Sequence, residues 1–127
     1  MKIKEDIMTR KTILIVEDDY NLGKIYTLSL EHAGYKTILN NDGKDVLGAI
    51  DEHNPDLLVL DMHVPYSWGP DTIKTLRGDS EKSDMKILVT TADIVVGQIL
   101  RGQEERVLIK PVQVSRLVQV VEEMLGE

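Results

Sequence analysis

Six polar residues follow the ends of short aliphatic runs in this chain of 127 residues. They are Glu17, Asp18 and Asp19 after TILIV, Asp61 after DLLVL, Thr91 at the end of ILVTT, and Lys110 after RVLI. Carboxylates about 4 Å apart repel each other by about 4 kcal/mol at an effective dielectric constant of about 20, so a cluster of them requires a cation or raised pKa values. Hard oxygen ligands favour Mg²⁺, and a Lys and a Thr beside the ion suit phosphoryl oxygens. The set therefore predicts phosphoryl transfer, with a carboxylate able to act as the nucleophile.

The aliphatic runs alternate with amphipathic stretches, which is typical of a parallel sheet connected by helices. The predicted strands span residues 12–16, 36–39, 56–60, 85–90 and 106–109. In an open parallel sheet, ligands bind beyond the carboxyl ends of the strands. The six polar residues occupy those positions, so we expect them to meet at one edge of the sheet.

Five helices are predicted, over residues 21–34, 43–53, 69–77, 93–101 and 114–125. In the first, the predicted buried stripe is Leu22, Ile25, Ser29 and Ala33, and Gly34 is the expected C-terminal cap. In the last, the apolar residues at helical spacing are Val114, Leu117, Val118, Val121 and Leu125. Pro70 suits the start of the third helix.

Composition limits the classes of function. The formal net charge of −7 argues against direct binding to nucleic acid or to an anionic membrane. The absence of cysteine excludes disulfides and thiolate metal sites, and fits a reducing compartment. No apolar run has the length of a signal peptide or a membrane span, so we expect a cytoplasmic protein. The length indicates one domain, predicted over 11–127, with an N-terminal extension over 1–10.

Four segments together resemble the receiver domains of two-component response regulators (CheY-like). They are ILIVEDDYNL, PDLLVLDMHVP, ILVTTA and VLIKP, and the similarity covers about residues 11–125. Each segment alone is a weak signal, but four in the family's order are specific. The resemblance implies a flavodoxin-like, doubly wound, five-stranded parallel sheet of strand order 2-1-3-4-5, with helices on both faces.

The resemblance also assigns roles at the acidic edge. It makes Asp61 the phosphoacceptor. It implies that Glu17, Asp18 and Asp61 bind Mg²⁺ together with the backbone carbonyl of His63. Asp19 is then a neighbour of the metal site and not a ligand.

By the same resemblance, Thr91 and Lys110 contact the phosphoryl group, and the bond before Pro111 is a candidate cis peptide bond. The implied phosphodonor is a sensor histidine kinase, a phosphotransfer protein or a small phosphodonor. The implied output surface is the face formed by the fourth helix, the fifth strand and the fifth helix. Its expected ligand is a downstream protein target or an appended output domain, and phosphorylation-dependent dimerisation is a further expectation to test.

Two departures from the family pattern concern the output mechanism. Val107 stands where the family usually has an aromatic residue that swings inward, so coupling by rotation of a ring is not available. The stretch from Thr91 to Lys110 is about three residues shorter than usual and lacks the customary Gly-Ala before the last strand. We therefore expect the helix over 93–101 to be short, shifted or loosely ordered.

Two positions flank the phosphoryl group in the family and tune its lifetime, and here they are His63 and Asp93. Since imidazole titrates near neutrality, we hypothesise that His63 alters autodephosphorylation and makes its rate pH-dependent. Trp68, the single tryptophan, is expected to be packed or partly exposed in the loop after Asp61.

Two other functions compete with a phosphoacceptor domain whose catalysis is limited to its own phosphorylation and dephosphorylation. A pseudo-receiver would be a phosphorylation-independent interaction module, and the full set of polar residues argues against it. A Mg²⁺-dependent phosphohydrolase could use Asp61 as nucleophile, but Asp61-Met62-His63 lacks the second aspartate of the usual D-x-D pattern. A nucleotide carrier is disfavoured because EDDYNLG has acidic residues where a phosphate cradle has glycines.

Overall fold

A computed structural model of the chain describes residues 10–126. The strands are β1 (Thr12–Val16), β2 (Lys36–Asn40), β3 (Leu57–Asp61), β4 (His63–Val64), β5 (Ser67–Trp68), β6 (Lys86–Thr91) and β7 (Arg106–Ile109). The helices are α1 (Tyr20–His32), α2 (Val46–His53), α3 (Gly69–Gly78), α4 (Ile94–Gly102) and α5 (Val114–Leu125). The predicted N-terminal extension lies outside the described residues except for Arg10. Among residues 10–126, no helix combines the length and hydrophobicity needed to cross a bilayer.

Five parallel strands form the main sheet in the order β2-β1-β3-β6-β7. Counting these five along the chain gives 2-1-3-4-5, so the predicted flavodoxin-like sheet is confirmed. The central strand β3 is buried along its whole length, as expected for a parallel sheet covered on both faces. The sheet therefore brings the carboxyl ends of β1, β3, β6 and β7 to one edge.

Alternate strand residues supply two hydrophobic clusters on opposite faces of the sheet. One cluster joins the sheet to α1 and α5 through residues such as Tyr26, Val59 and Leu117. The other joins it to α2, α3 and α4 through residues such as Leu60 and Leu100. We call these the α1/α5 face and the α2/α3/α4 face.

Two predicted strands are placed one residue too early, and the strand predicted over 36–39 extends to Asn40. The strand expected over 56–60 is Leu57–Asp61, and the one expected over 85–90 is Lys86–Thr91. Asp61 remains in the ladder because it pairs with Thr90 on the neighbouring strand. The carboxylate of Asp61 thus starts from a rigid strand end and not from a free loop.

The predicted buried stripe of α1 is confirmed only in part: Leu22 and Ala33 pack against the core. Ile25 is 45% exposed, whereas Gly23, Tyr26 and Leu30 face the core. The helix ends at His32 with Ala33 as its cap residue, and Gly34 follows at φ 104°. That left-handed conformation is the one glycine favours just after a helix.

The helix α2 begins at Val46, three residues later than predicted, because the Asp45 side chain caps it at the Gly48 N–H. In α5, the predicted Leu117, Val121 and Leu125 are buried, and Val120 is a buried residue that the predicted stripe omitted.

The helix α4 runs over Ile94–Gly102, one residue later than the predicted 93–101. It spans nine residues and is firmly docked, since Asp93 caps its first turn by accepting from the Val96 N–H at 3.1 Å. Gly97 permits close packing on β7, because a Cβ there would lie 2.6 Å from Ile109 Cδ1. These contacts hold α4 against the sheet, and the degree of order of the helix stays a prediction.

The hairpin β4–β5 between β3 and α3 was not predicted. His63 pairs with Trp68 and Val64 with Ser67. The turn docks on the loop after β2, where the Tyr66 N–H donates to the Asp42 carbonyl at 3.1 Å. Strands of two residues are too short to show an alternating pattern in sequence.

A bidentate ion pair ties α3 to the start of β7. Arg77 Nε and Nη2 each lie 2.8 Å from the carboxylate oxygens of Glu105, whose side chain is only 7% exposed. Arg77 Nη1 also donates to the carbonyls of Ser83 and Met85. One guanidinium therefore holds the α3–β6 connection against the loop before β7.

We predict that Arg77→Lys lowers the free energy of unfolding by about 2 kcal/mol, because lysine cannot replace the planar fork of donors. Urea unfolding followed by circular dichroism measures this. The matched control is Arg106→Lys, which alters an exposed pair with Glu123 and should cost less than about 0.5 kcal/mol. Equal losses for the two variants would contradict the role assigned to Arg77.

Candidate functional site

Three strand ends assemble an acidic site at the carboxyl edge of the sheet. Glu17 follows β1, Asp61 ends the adjacent β3, and Lys110 follows β7. The Lys110 ammonium lies 2.6 Å from Glu17 Oε1 and 3.0 Å from Asp61 Oδ2. Residues separated by up to 93 positions in the chain therefore share one ion-paired cluster.

Burial determines the electrostatics of this cluster. The side chains of Glu17, Asp61 and Lys110 are 1%, 6% and 18% exposed. Burial raises the pKa of Glu17, and the hydrogen bond from Lys110 opposes that shift. Burial alone would lower the pKa of Lys110, but its hydrogen bonds to Glu17 and Asp61 outweigh this effect and the pKa is raised. The Lys110 side chain is therefore a fixed positive charge at neutral pH.

Backbone amides orient both buried carboxylates. The His63 N–H donates to Asp61 Oδ1 at 3.2 Å, and the Asp19 N–H donates to Glu17 Oε2 at 3.1 Å. Each carboxylate thus uses one oxygen for Lys110 and the other for a backbone N–H. This arrangement fixes the orientation of Asp61 before any ligand arrives.

Asp18 completes a set of carboxylates suited to a divalent cation. One oxygen from each of Glu17, Asp18 and Asp61 lies within 4.8 Å of the other two, and Asp18 is exposed. Three carboxylates face a single ammonium here, so the cluster keeps an excess of negative charge, and hard oxygen donors match Mg²⁺. Asp19 lies outside this set, because its side chain caps α1 by accepting from the Leu22 N–H.

Thr91, Asp93 and His63 lie together beside the acidic cluster. The Thr91 side chain is fully buried, and its hydroxyl accepts from the Asp93 N–H at 3.0 Å. Asp93 caps α4 and places Oδ2 3.6 Å from His63 Nε2. These contacts connect the loop after β3 to the first turn of α4.

Trp68 is a neighbour of this group that sequence reasoning did not assign to the site. Its ring lies 5.0 Å from the His63 ring at an interplanar angle of 60°, and 43% of the residue is exposed. The two rings meet because His63 and Trp68 pair across the β4–β5 hairpin. Because the hairpin was not predicted from the sequence, the contact between the two rings could not be predicted either.

The remaining two predicted positions are Val107, which lies on β7, and Pro111, which follows β7. Val107 is buried on the α2/α3/α4 face and pairs with Val89. The Lys110 N–H donates to the Thr91 carbonyl at 2.8 Å, which keeps the end of β7 aligned with β6. The peptide bond between Lys110 and Pro111 is cis.

A protein-family model described as "Response regulator receiver domain" matches residues 13–122. The chain belongs to the response regulator receiver family. As a receiver domain it is a signalling phosphoacceptor and not an enzyme in its own right. A curated relative, the polar-differentiation response regulator DivK of Brucella ovis, is 31% identical over 120 residues, which cover 92% of this chain and 98% of that protein.

Solved structures of receiver proteins superpose on this domain. A response regulator protein from Burkholderia multivorans is 27% identical and gives a TM-score of 0.72, with coverage of 94% of this chain and 97% of that one. The chemotaxis response regulator CheY4 of Vibrio cholerae gives a TM-score of 0.81 at 22% identity, covering 91% of this chain and 99% of that one. At that identity the second comparison concerns the fold alone.

We predict that Asp18→Asn raises the free energy of unfolding in EDTA, by about 1 kcal/mol or less, because it removes one of three mutually repelling carboxylates. Urea unfolding in EDTA measures this. Asp19→Asn is the matched control, since asparagine also caps helices well and Asp19 lies outside the cluster. A loss of stability in Asp18→Asn would show that repulsion does not dominate this cluster.

Proposed function

We propose that the domain is a phosphorylation-dependent switch in which Asp61 accepts a phosphoryl group from a histidine kinase or a phosphotransfer protein. The observation that carries this proposal is the Asp61 carboxylate itself, which is buried, oriented by the His63 N–H, and held by Lys110. The nearby oxygens of Glu17 and Asp18 supply the metal site that phosphoryl transfer needs.

In this mechanism Glu17, Asp18 and Asp61 would hold Mg²⁺, with the backbone carbonyl of His63 proposed as a further ligand. The bound ion supplies charge neutralisation at the phosphoryl oxygens. An Asp61 oxygen attacks phosphorus, the bond to the donor atom breaks, and its electron pair leaves with the donor. Lys110 neutralises charge on the transferred group and shifts from carboxylate to phosphoryl oxygen.

Thr91 links phosphorylation to α4. Its hydroxyl oxygen accepts from the Asp93 N–H, so its own hydrogen is free to be donated to a phosphoryl oxygen. Movement of Thr91 toward that oxygen strains the Asp93 contact, and Asp93 caps α4. Because Val107 has no ring to rotate, we propose that this Thr91–Asp93 connection carries the signal to α4.

The output is a change in protein contacts at the face formed by α4, β7 and α5. The helix α4 exposes Ile94, Val95 and Ile99, with 60%, 65% and 56% of each residue accessible. A target protein or an appended output domain is the proposed ligand, and a phosphorylation-dependent dimer would use the same surface. The net charge of −7 supports action through protein contacts, without direct binding to nucleic acid or membrane.

We predict that acetyl phosphate with Mg²⁺ adds the mass of one phosphoryl group to the intact protein, and that EDTA or Asp61→Asn abolishes the adduct. Intact-protein mass spectrometry measures this directly. Asp93→Asn is the matched control, since Asp93 is a second carboxylate near the site that is not assigned as the acceptor, and the adduct should still form.

A wild-type protein that binds Mg²⁺ but gives no adduct with acetyl phosphate or with histidine kinases would contradict the switch. That result would favour a pseudo-receiver, which acts as an interaction module without phosphorylation. Quenching of Trp68 fluorescence is a convenient measure of Mg²⁺ binding, because Trp68 contacts the His63 ring beside the site.

We further propose that His63 and Asp93 set the lifetime of the phosphoryl group. The His63 ring packs on Trp68 and faces Asp93 at 3.6 Å, so the pair restricts the approach of water to Asp61. We predict that His63→Asn accelerates loss of the phosphoryl group several-fold, measured as decay of the adduct by mass spectrometry. His53→Asn, in the last turn of α2, is the control with the same chemical change. An unchanged decay rate in His63→Asn would contradict this role.

A further inference from the structure

Two buried hydroxyls near the acidic site have no hydrogen-bond partner among the residues that the structure describes. They are Tyr26 OH and Thr90 Oγ1, and their residues are 0% and 1% exposed. A buried hydroxyl without a partner is costly, so native proteins satisfy nearly all such groups with protein or with ordered water. The proposed phosphorylation chemistry uses neither hydroxyl.

Thr90 lies on the face of β6 that the Lys110 side chain crosses to reach Asp61. It pairs with Asp61 in the β3–β6 register and lies on the α1/α5 face, two residues after Leu88. Strand β6 separates β7 from β3 in the sheet, and neighbouring strands are about 4.8 Å apart. To reach Asp61 from the end of β7, the Lys110 side chain must therefore cross the end of β6 on the face that carries Thr90.

Tyr26 approaches the same region from the helix side. It is buried on the α1/α5 face in the second turn of α1, which begins directly after the acidic residues. Side chains in a helix point back toward its N-terminus, which here directs the phenol toward the acidic edge. Burial raises the pKa of Tyr26 to about 12, and the nearby charges of Lys110, Glu17 and Asp61 also act on it. The hydroxyl is thus protonated at neutral pH and can both donate and accept.

One N–H group of the Lys110 ammonium remains available to donate a hydrogen bond in this region. Its ammonium carries three N–H groups, and the contacts to Glu17 Oε1 and Asp61 Oδ2 use two of them. A buried water requires two to four polar partners, which two hydroxyls and one N–H provide.

We propose that Tyr26 and Thr90 are positioning residues for Lys110, and that their hydroxyls hold one buried water molecule that accepts from the third N–H of the ammonium. This inference rests on the proposed function, in which Lys110 moves from the carboxylates to the phosphoryl group. The water holds the ammonium on the inner side of the cluster during that move. Loss of either hydroxyl leaves Lys110 less well placed for phosphoryl transfer.

The test compares Tyr26→Phe, Thr90→Val and the double variant in two measurements. The first is the rate of phosphorylation by acetyl phosphate with Mg²⁺, which we expect to fall about fivefold in each single variant. Because either substitution breaks the same water site, the double variant should be no slower than the slower single variant. Thr90→Ser retains the hydroxyl and should restore most of the rate.

The second measurement is urea unfolding without Mg²⁺ or phosphodonor, which does not depend on phosphorylation. We expect both single variants to unfold at a lower urea concentration than the wild type. The double variant should unfold at no lower a concentration than the less stable single variant. The control is Tyr35→Phe, which removes a hydroxyl from the same hydrophobic cluster at the opposite edge of the sheet, before β2. It should leave the phosphorylation rate unchanged whatever its effect on stability.

The outcomes separate this inference from the proposed function. Wild-type rates in both single variants, or midpoints equal to or above that of the wild type, would overturn the role of the two hydroxyls, since a truly isolated hydroxyl is replaced by an apolar group without loss. If the wild type itself takes no phosphoryl group, the proposed function fails, and the unfolding cycle still decides whether Tyr26 and Thr90 share a partner.

Discussion

The Lys110 ammonium is the constraint on which the rest of the site depends. Two buried carboxylates, Glu17 and Asp61, would repel each other strongly if they were left alone at the end of a hydrophobic sheet. Lys110 reaches both at hydrogen-bonding distance, and it can do so only because β7, β6, β3 and β1 lie side by side in that order. The fold and the charge cluster therefore specify each other. The excess negative charge that remains is what suits the site to a divalent cation.

The two faces of the sheet have different tasks in this account. Asp61 and Thr90 pair at the end of the sheet on the α1/α5 face, on which Tyr26 is also buried. Thr91 points to the opposite face, beside Gly97 of α4. In the proposed mechanism, a charge that arrives on one side is sensed on the other through Thr91, the last residue of β6. Because α4 packs closely on β7, a small movement of Thr91 would displace the helix as a unit.

Much of this was predictable from sequence, and the failures have physical reasons. The strands and the positions of Asp61 and Lys110 were predictable because buried parallel strands are continuous apolar runs, and ligands bind beyond their carboxyl ends. The stripe of α1 was misplaced because Ile25 and Tyr26 are both apolar enough to face a core, and a shift of one residue rotates the helix by about 100°. The β4–β5 hairpin was missed because two-residue strands have no readable period. The contact of His63 with Trp68 was missed together with that hairpin, and Tyr26 was missed because the predicted stripe of α1 did not include it.

The central claim is that the buried Asp61 carboxylate, and not one of the exposed carboxylates beside it, takes the phosphoryl group. Borohydride reduces an aspartyl phosphate to homoserine, so reduction of the phosphorylated protein followed by peptide sequencing locates the acceptor. The account predicts homoserine at position 61 and unmodified aspartates at positions 18, 19 and 93. Homoserine at Asp18 or Asp93, with Asp61 intact, would contradict it.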